Sequence, residues 1–527
     1  MLRKIASVGS WTMVSRITGF ARDVVMAGIM GVGPVADAFV IALRLPNHFR
    51  TIFGEGAFNA AFIPTYAQTR EKNGNEAGHL FASRIWTLLL AIQIVLLALA
   101  LAFMPWLVSA LAPGVVGDDQ RFDLTVTLTR ITFPYLLFVT LVTMLSALLN
   151  AHDRFAAAAA APILLNGSLI AALALAFLFP TAGHAAAWGV ALAGVFELLL
   201  VWGAARRAGL APRLAMPRPD KAVKHFFKTF GPAVIGSAGV QIAMFADTII
   251  ASLMPVGAVS ALYYADRLYQ LPVGVIGIAA GTVLLPEMSR RIAEADIAGA
   301  HRAQNQAAAI ILALALPCTV AFVMIPDLIM LALFGRGAFT AQDAAASGAI
   351  LAAYALALPA VVLMRSALSS FYARSDTVTP LKISLTAVAV NIAFKIVLTD
   401  PFGVVGLALA TAIGAWVNLG LLLVVAQRRS WSAPNALLGK SLMIALAGCL
   451  MLAALVASLQ APALAFARRH FEALAAEGTL AILAVSGGLV YGIVLLAGLR
   501  VTGIALRPLR RNSDRAEAPG RDITGAD

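Results

Sequence analysis

Long apolar stretches, separated by short polar ones, follow one another along nearly the whole chain. Many run for about 20 residues, the length that an α-helix needs to cross a bilayer. The pattern predicts an all-α polytopic membrane protein with fourteen transmembrane helices, whose boundaries are set to within a few residues. The predicted spans are 5–30, 35–63, 85–108, 131–150, 156–179, 185–205, 230–254, 258–285, 307–333, 344–372, 380–398, 403–426, 437–459 and 478–499.

The composition agrees with this class of protein. Hydrophobic residues make up 61% of the chain and charged residues 12%, against about 25% charged residues in soluble domains. The net charge of +13 predicts no nucleic-acid partner, because the basic residues lie in loops and form no patch interleaved with aromatics. The two cysteines, Cys318 and Cys449, lie far apart in apolar spans and predict neither a disulfide nor a metal site.

The distribution of lysine and arginine predicts the orientation. With fourteen spans both termini lie on one side of the membrane, and the loops on that side carry 27 lysines and arginines, against 4 on the other side. Cytoplasmic loops carry the excess of basic residues, so both termini are predicted to be cytoplasmic. Arg16 and Arg22 interrupt the first apolar run, so it is predicted to be a retained helix and not a cleaved signal peptide.

An internal repeat divides the chain into halves. Residues 23–35 match residues 247–259 without a gap, and the positions of Asp23, Ala27, Met30, Val32 and Gly33 are identical at an offset of 224. Six spans separate equivalent positions, so the two halves share one orientation, as in transporters that bind substrate between parallel repeats. The predicted domains are an N-terminal lobe (1–206), a basic linker (207–229), a C-terminal lobe (230–428), two additional helices (429–500) and a disordered tail (501–527).

Charged residues at membrane depth are the candidate functional residues. Each costs at least a few kcal/mol near the bilayer centre, so several of them predict a wet cavity lined by protein, and the excess of arginine predicts that it is cationic. In the first two spans these residues are Arg16, Arg22, Asp37, Arg44, Arg50 and Glu55. In span eight, Asp266 and Arg267 occupy nearly the position of Arg44 in the repeat, so Arg267 is predicted to face the same space from the other lobe.

Structural alternatives stand beside these roles. The arginines could snorkel to the headgroups, and Arg16 and Arg22 share a helix face only if α-helical geometry bends at Gly19. Asp37 and Arg44 are seven residues apart, so a structural pair and a substrate role are weighted equally. Glu55, between two glycines, marks either a hinge or a substrate contact.

A second charged set lies in spans seven and eleven. Asp247 has no basic neighbour in its own span, whereas Asn391 and Lys395 lie one turn apart in span eleven. An Asp247–Lys395 ion pair is the structural interpretation. A cation site at Asp247 and Asn391 is the functional alternative, and the ammonium of Lys395 disfavours it.

Three stretches resemble one known family. SRITGFARD, DAFVIALRLPNHFRTIFGEGAFNAAFIP and YYADRLYQLPVGVIGIAAGTVLLP are similar to the MurJ (MviN) lipid II flippases of the multidrug/oligosaccharidyl-lipid/polysaccharide exporter superfamily. The resemblance implies two six-helix lobes plus two helices that form a groove for the lipid tail. It implies that the central arginines of the family fall on Arg16, Arg22, Arg50 and Arg267, and its acidic position in span two on Asp37. Gln270 stands where relatives can have glutamate.

The resemblance also implies the substrate. This is undecaprenyl-pyrophosphate-linked disaccharide-pentapeptide (lipid II), which is moved to the periplasmic leaflet by a monomer that uses no cofactor in the bacterial inner membrane. Guanidinium groups suit pyrophosphate oxygens, and the membrane potential is expected to contribute, while the coupling ion stays open. Two alternatives are another exporter of the superfamily, such as a cation-coupled multidrug antiporter, and a polyprenyl-phosphate transferase. The transferase would need acidic metal ligands on a cytoplasmic loop, which the sequence does not contain.

Overall fold

The structure, a computed structural model, describes residues 2–51 and 56–502, and this part of the chain is all-helical. Its seventeen α-helices are α1 (Leu2–Met30), α2 (Pro34–Arg50), α3 (Gly56–Ala102), α4 (Met104–Leu111), α5 (Asp119–Thr132), α6 (Pro134–Asn150), α7 (Ala156–Ala174), α8 (Ala182–Arg207), α9 (Lys221–Ser252), α10 (Ala258–Ala293), α11 (Ile297–Met324), α12 (Pro326–Phe334), α13 (Ala341–Ala355), α14 (Leu358–Tyr372), α15 (Val378–Arg428), α16 (Ala436–His470) and α17 (Ala475–Val501).

Nine helical stretches among the described residues are long and apolar enough to cross a membrane. The prediction of an all-α polytopic membrane protein is therefore confirmed. The helices α1, α2, α9 and α10 are not among the nine, and they carry most of the charged residues predicted at membrane depth.

The predicted division between the spans 380–398 and 403–426 coincides with a break in the structure. The helix α15 covers both spans and kinks at Gly403 with φ 55°, a value that glycine adopts without a steric penalty. Within the predicted span 35–63, α2 includes residues 35–50 and α3 begins at Gly56, and residues 52–55 lie outside the described part of the chain. The fourth span begins earlier than residue 131, since Asp118 caps α5 by accepting a hydrogen bond from the Arg121 N–H at 3.1 Å.

The predicted linker, 207–229, is not a free connection. Its second part is helical, because α9 begins at Lys221 with Asp220 as its N-cap. Its first part lies along α3, where the Arg213 N–H donates to Ser83 Oγ and the Ala215 N–H donates to Thr87 Oγ1, both at 3.0 Å. These bonds dock the linker on the first half of the chain.

Helix breaks recur along the sequence at a constant spacing. The helix α3 gives way to α4 at Phe103, and α11 gives way to α12 at Ile325, 222 residues later. The same spacing separates the broken 32-residue spans 119–150 and 341–372. Such a pattern is what a duplicated six-helix unit would produce.

One end of the helix bundle is closed by contacts between the two halves, and we call it the closed face. It comprises the α1–α2 turn (31–33), the α9–α10 turn (253–257) and the α12–α13 connection (335–340). The Ala338 N–H donates to the Gly28 carbonyl at 2.7 Å, and the Tyr264 hydroxyl donates to the Gly31 carbonyl at 3.2 Å. The opposite end, where α1 begins and α17 ends, is the terminal face.

Replacing Gly31 by alanine is expected to loosen the closed face. Gly31 has φ +60°, and a Cβ there would lie 2.5 Å from the Ala338 carbonyl oxygen. The left-handed conformation alone costs an L-residue about 1–2 kcal/mol. The probe is Leu271→Cys in a chain from which Cys318 and Cys449 have been removed, because Leu271 lines a cavity between α1 and α10. An impermeant maleimide added on the closed-face side should label this probe faster when Gly31→Ala is present than when it is absent.

The matched control for this substitution is Gly33→Ala. Gly33 has extended backbone with φ 168°, and nothing lies within 4 Å of its would-be Cβ. Equal labelling of the Gly31 and Gly33 variants would show that the Gly31 contact does not hold the face shut.

Candidate functional site

Two helices from different halves of the chain, α1 and α10, enclose a cavity of about 350 Å³. Arg16 and Arg22 line it from α1, and Arg267 lines it from α10. Arg16 lies over Gly274, where any larger residue would collide with its guanidinium. The helix α1 is continuous through Gly19, so the bend considered from the sequence is not needed to bring the two arginines to one cavity. Three of the four predicted arginines therefore meet.

A carboxylate that the sequence did not assign to the site joins the arginines of the two halves. Asp23 Oδ1 accepts from Arg22 Nε at 3.0 Å and from Arg22 Nη2 at 2.7 Å. It also accepts from the Tyr263 hydroxyl at 3.0 Å, and Arg267 Nε lies 3.8 Å from Asp23 Oδ2. Asp23 is 3% exposed. It offsets part of the charge that two arginines bring into the membrane.

Two neutral side chains fix the orientation of these arginines. Asn166 of α7 accepts from Arg22 Nη1 at 3.1 Å and donates to the Ser15 carbonyl at 3.0 Å. The Arg267 guanidinium lies 4.6 Å from the centre of the Tyr263 ring, a cation–π contact. Both guanidinium groups are thus held in place before any anion arrives.

A second cavity of about 290 Å³ adjoins the first, because Arg267 and Gln270 line both. Arg44 and Arg50 line it from α2, together with Asp247 and Asp266. The side chain of Gln270 donates to Asp266, and Arg44 and Arg267 are the cationic neighbours of that carboxylate. Gln270 is therefore a partner of Asp266.

Asp37 has a different place from the one predicted. It is 1% exposed and accepts from the Gly257 N–H at 2.7 Å, the Ser260 N–H at 2.8 Å and the Ser260 hydroxyl at 2.7 Å. It therefore caps the first turn of α10 on the closed face, and Arg121 at 4.0 Å is its basic neighbour. Of the two alternatives considered from the sequence, the structural pair with Arg44 is not formed, because Asp37 bonds to α10 and Arg44 lines the second cavity; a substrate role of Asp37 stays a prediction.

Of the second predicted set, Asp247 and Lys395 lie together and Asn391 has a different partner. The Lys395 ammonium lies against the Asp247 carboxylate, and Lys395 is 1% exposed. Asn391 donates instead to the Ala410 carbonyl at 3.1 Å, across the kink of α15. Among the described residues no group of three or more histidine, cysteine, aspartate or glutamate side chains is placed to bind a metal ion. Glu55 lies outside the described residues.

One further buried carboxylate was missed from the sequence. Glu197 of α8 is 3% exposed and lies near Arg50. Its sequence signal was an isolated acidic residue inside an apolar span, the same signal that singled out Asp247. Asp23 was likewise visible as the residue after Arg22, and the repeat marked it, but its contact with Arg267 could not be seen.

The fold defines the class of protein. A multidrug resistance MATE family transporter of the MOP superfamily, solved in an inward-facing conformation, aligns with a TM-score of 0.67 at 15% identity over 80% of this chain and 97% of its own. A structure of lipid II flippase MurJ in an inward closed conformation aligns with a TM-score of 0.78 at 24% identity over 94% of this chain and 99% of its own. The chain thus has the fold of these helical membrane transporters.

The sequence comparisons give the family. The model of the family Lipid II flippase MurJ matches residues 26–468. Probable lipid II flippases MurJ of Rhizobium tropici and Rhizobium meliloti are 41% identical over 81% of both chains and 40% identical over 86% of both chains. The lipid II flippase MurJ of Burkholderia cenocepacia is 32% identical over 82% of this chain and 85% of its own. The chain belongs to the MurJ lipid II flippase family, and it is a transporter.

Proposed function

We propose that this chain moves lipid II from the cytoplasmic to the periplasmic leaflet by alternating access. In this mechanism Arg16, Arg22, Arg50 and Arg267 bind the pyrophosphate of the substrate. The observation that carries the proposal is the meeting of arginines from both halves of the chain at two adjoining cavities. Guanidinium groups offer paired donors that fit phosphate oxygens. A cation exporter would instead need an excess of carboxylates at this place.

The exposure of residues along α1 supports entry from the terminal face. Arg16 is exposed, Arg22 is 8% exposed, and Met26 and Ala27 are fully buried. Arg16, which lies nearer the terminal face, is therefore the accessible arginine of α1, and Arg22 lies buried between it and the closed face. If the terminal face is cytoplasmic, as the lysine and arginine distribution predicts, substrate binds from the leaflet where it would be made.

The same proposal includes the organisation of the chain. Fourteen spans form two six-helix lobes of parallel orientation, which the recurrent helix breaks support, with both termini in the cytoplasm. The helices α16 and α17 pack against each other and against α11, where the Tyr491 hydroxyl donates to the Ala313 carbonyl at 2.7 Å. We assign them, within 429–500, to the groove for the lipid tail, and we expect a monomer.

The membrane potential fits a cycle that moves charge. Moving one elementary charge across the membrane is worth about 2.3 kcal/mol per 100 mV. Pyrophosphate leaves a cell with a negative interior down this potential, and the arginine-lined empty site is drawn back. The ammonium of Lys395 occupies the place beside Asp247 where a coupling cation would otherwise bind. We therefore favour the Asp247–Lys395 ion pair over a cation site at Asp247 and Asn391.

The test uses bacteria depleted of their own flippase. This chain should restore the external accessibility of lipid-linked peptidoglycan precursor, measured by an impermeant reagent that cleaves or labels it. Failure at matched expression would favour another exporter of the superfamily. Energy-dependent efflux of cationic drugs by the same cells would then identify the multidrug alternative.

A further inference from the structure

The first half of the chain contains a third cavity, of about 210 Å³, which the transport cycle proposed above does not use. Its lining includes one carboxyl side chain, Glu197, and one guanidinium, Arg50. Arg50 also lines the second cavity, together with Arg44 and Arg267. Arg50 therefore borders both the cavity that contains a buried carboxyl group and the proposed pyrophosphate site.

Glu197 cannot reach water by stretching along its helix. It is 3% exposed, and the residues one turn to either side, Ala193 and Val201, are fully buried. Ten residues separate it from the end of α8 at Arg207, about 15 Å at the helical rise, well beyond the length of its side chain. A carboxylate so placed needs either a counter-charge or a proton.

The groups that face Glu197 are few. From α6 the Tyr135 hydroxyl donates to Glu197 Oε2 at 3.5 Å, a long bond. From α2, Arg50 supplies the positive charge. Within the described part of the chain these are the titratable or charged groups that act on Glu197. Its charge therefore depends on where the Arg50 guanidinium points.

A polar path leads from this cavity towards the terminal face. Thr143, Ser146 and Asn150 of α6 line the cavity, and their spacing of three and four residues puts them on one face of the helix. Asn150, the last residue of α6, is the lining residue of this set nearest to the terminal face. We take this polar lining as the route by which a proton from solvent would reach the carboxyl group.

We propose that Glu197 is a proton-binding site whose occupancy is linked to the binding of an anionic phosphate group at Arg50. The inference rests on the function proposed above, in which arginines of the second cavity bind pyrophosphate. When pyrophosphate draws the Arg50 guanidinium towards that cavity, the carboxylate loses its counter-charge. A hydronium ion of the solvent then transfers one proton to a Glu197 oxygen and becomes water. The two equilibria are linked. The factor by which bound phosphate raises the proton affinity of Glu197 is also the factor by which protonation of Glu197 raises the affinity for phosphate.

The experiment uses the full chain in lipid nanodiscs and a soluble probe, geranyl pyrophosphate, which carries the pyrophosphate on a short isoprenoid. Calorimetry in two buffers of different ionisation enthalpy gives the number of protons taken up per bound probe. Per bound probe, the wild type should take up at most about one proton more than Glu197→Gln. The affinity of the wild type for the probe should fall as pH rises, by at most about tenfold per pH unit. Glu197→Gln should bind the probe with only the pH dependence of the probe itself.

Two further variants separate this linkage from a structural role of Glu197. Arg50→Ala should weaken binding and also abolish the extra proton uptake, because the carboxyl group no longer senses the anion. Glu76→Gln, a change at an exposed glutamate of α3 outside the three cavities, should retain the wild-type proton uptake. Glutamine at 197 keeps the shape of the side chain and its acceptor for Tyr135, so a merely structural role would leave proton uptake unchanged.

Each contrary outcome has its own meaning. Equal proton uptake and pH dependence in the wild type and in Glu197→Gln would overturn the linkage while leaving the flippase proposal intact. Equal loss of the uptake in Glu76→Gln would show that the effect is not specific to the buried carboxyl group and would overturn the assignment to Glu197. Failure of the wild type to bind the probe at any pH would overturn both the linkage and the arginine site.

Discussion

The Arg22→Ala variant is expected to be unable to support growth or to restore external lipid-linked precursor in flippase-depleted bacteria. Arg22 makes hydrogen bonds to Asp23 and Asn166 and lines the cavity that Arg267 enters from the other half. Removing one partner of a buried, hydrogen-bonded charge pair costs about 2–5 kcal/mol. The variant also removes the guanidinium that offsets the charge of Asp23, so this buried carboxylate repels an incoming pyrophosphate more strongly.

The matched control for Arg22→Ala is Arg130→Ala. Arg130 also lies in a helix of a candidate membrane span, α5, but it is exposed and lines none of the three cavities described above. It should rescue growth at the same expression level. Rescue by Arg22→Ala to the wild-type extent would remove this residue from the transport site, and equal failure of both variants would point to a general loss of folded protein.

Removal of the Asp247 carboxylate is expected to destabilise the protein more than removal of the Lys395 ammonium. Lys395 is 1% exposed, whereas the side chain of Asp247 is 27% exposed and borders the second cavity. Asp247→Asn therefore leaves a charge with no access to water, and breaking a buried pair in this way costs about 3–5 kcal/mol. Lys395→Met leaves the partly hydrated Asp247 carboxylate, so its loss of thermal stability should be smaller.

The double variant Asp247→Asn with Lys395→Met tests whether the two residues act as a pair. It should recover most of the stability that Asp247→Asn loses, measured as the melting temperature of the purified protein. Additive losses would contradict the pair. If Lys395→Met becomes more stable on addition of a monovalent cation, the ammonium occupies what would otherwise be a cation site at Asp247.

The helical class of this protein and most of its central cations follow from the sequence because both depend on local patterns. Apolar length fixes the spans, and the cost of charge in a bilayer selects Arg16, Arg22 and Arg267 for a shared cavity. The repeat matched Arg267 to the position of Arg44 and so predicted, without any knowledge of contacts, that Arg267 faces the same space from the other lobe. The breaks at Phe103 and Pro134 were missed, because an apolar stretch looks the same to a hydropathy pattern whether its helix is straight or broken.

Partners distant in sequence could not be assigned in this way. The spacing of Asp37 and Arg44 suggested a pair within one helix, but the carboxylate serves Gly257 and Ser260, more than 200 residues away. Asp23 sits beside Arg22 in the sequence, yet its contacts with Tyr263 and Arg267 exist only because α1 meets α10. A helix pattern tells which face a side chain occupies, and only packing tells what lies opposite.

The sequence by itself determined that this chain is a polytopic helical membrane protein with a cationic centre and a resemblance to lipid II flippases. These properties reside in the apolar lengths, the buried arginines and the motifs, which need no neighbours to be recognised. Only the tertiary structure decided that Asp23 links the arginines of the two halves, that Asp37 caps α10 and that Arg50 borders Glu197. Hydrogen bonds and ion pairs act over a few ångströms, so they depend on how distant segments pack.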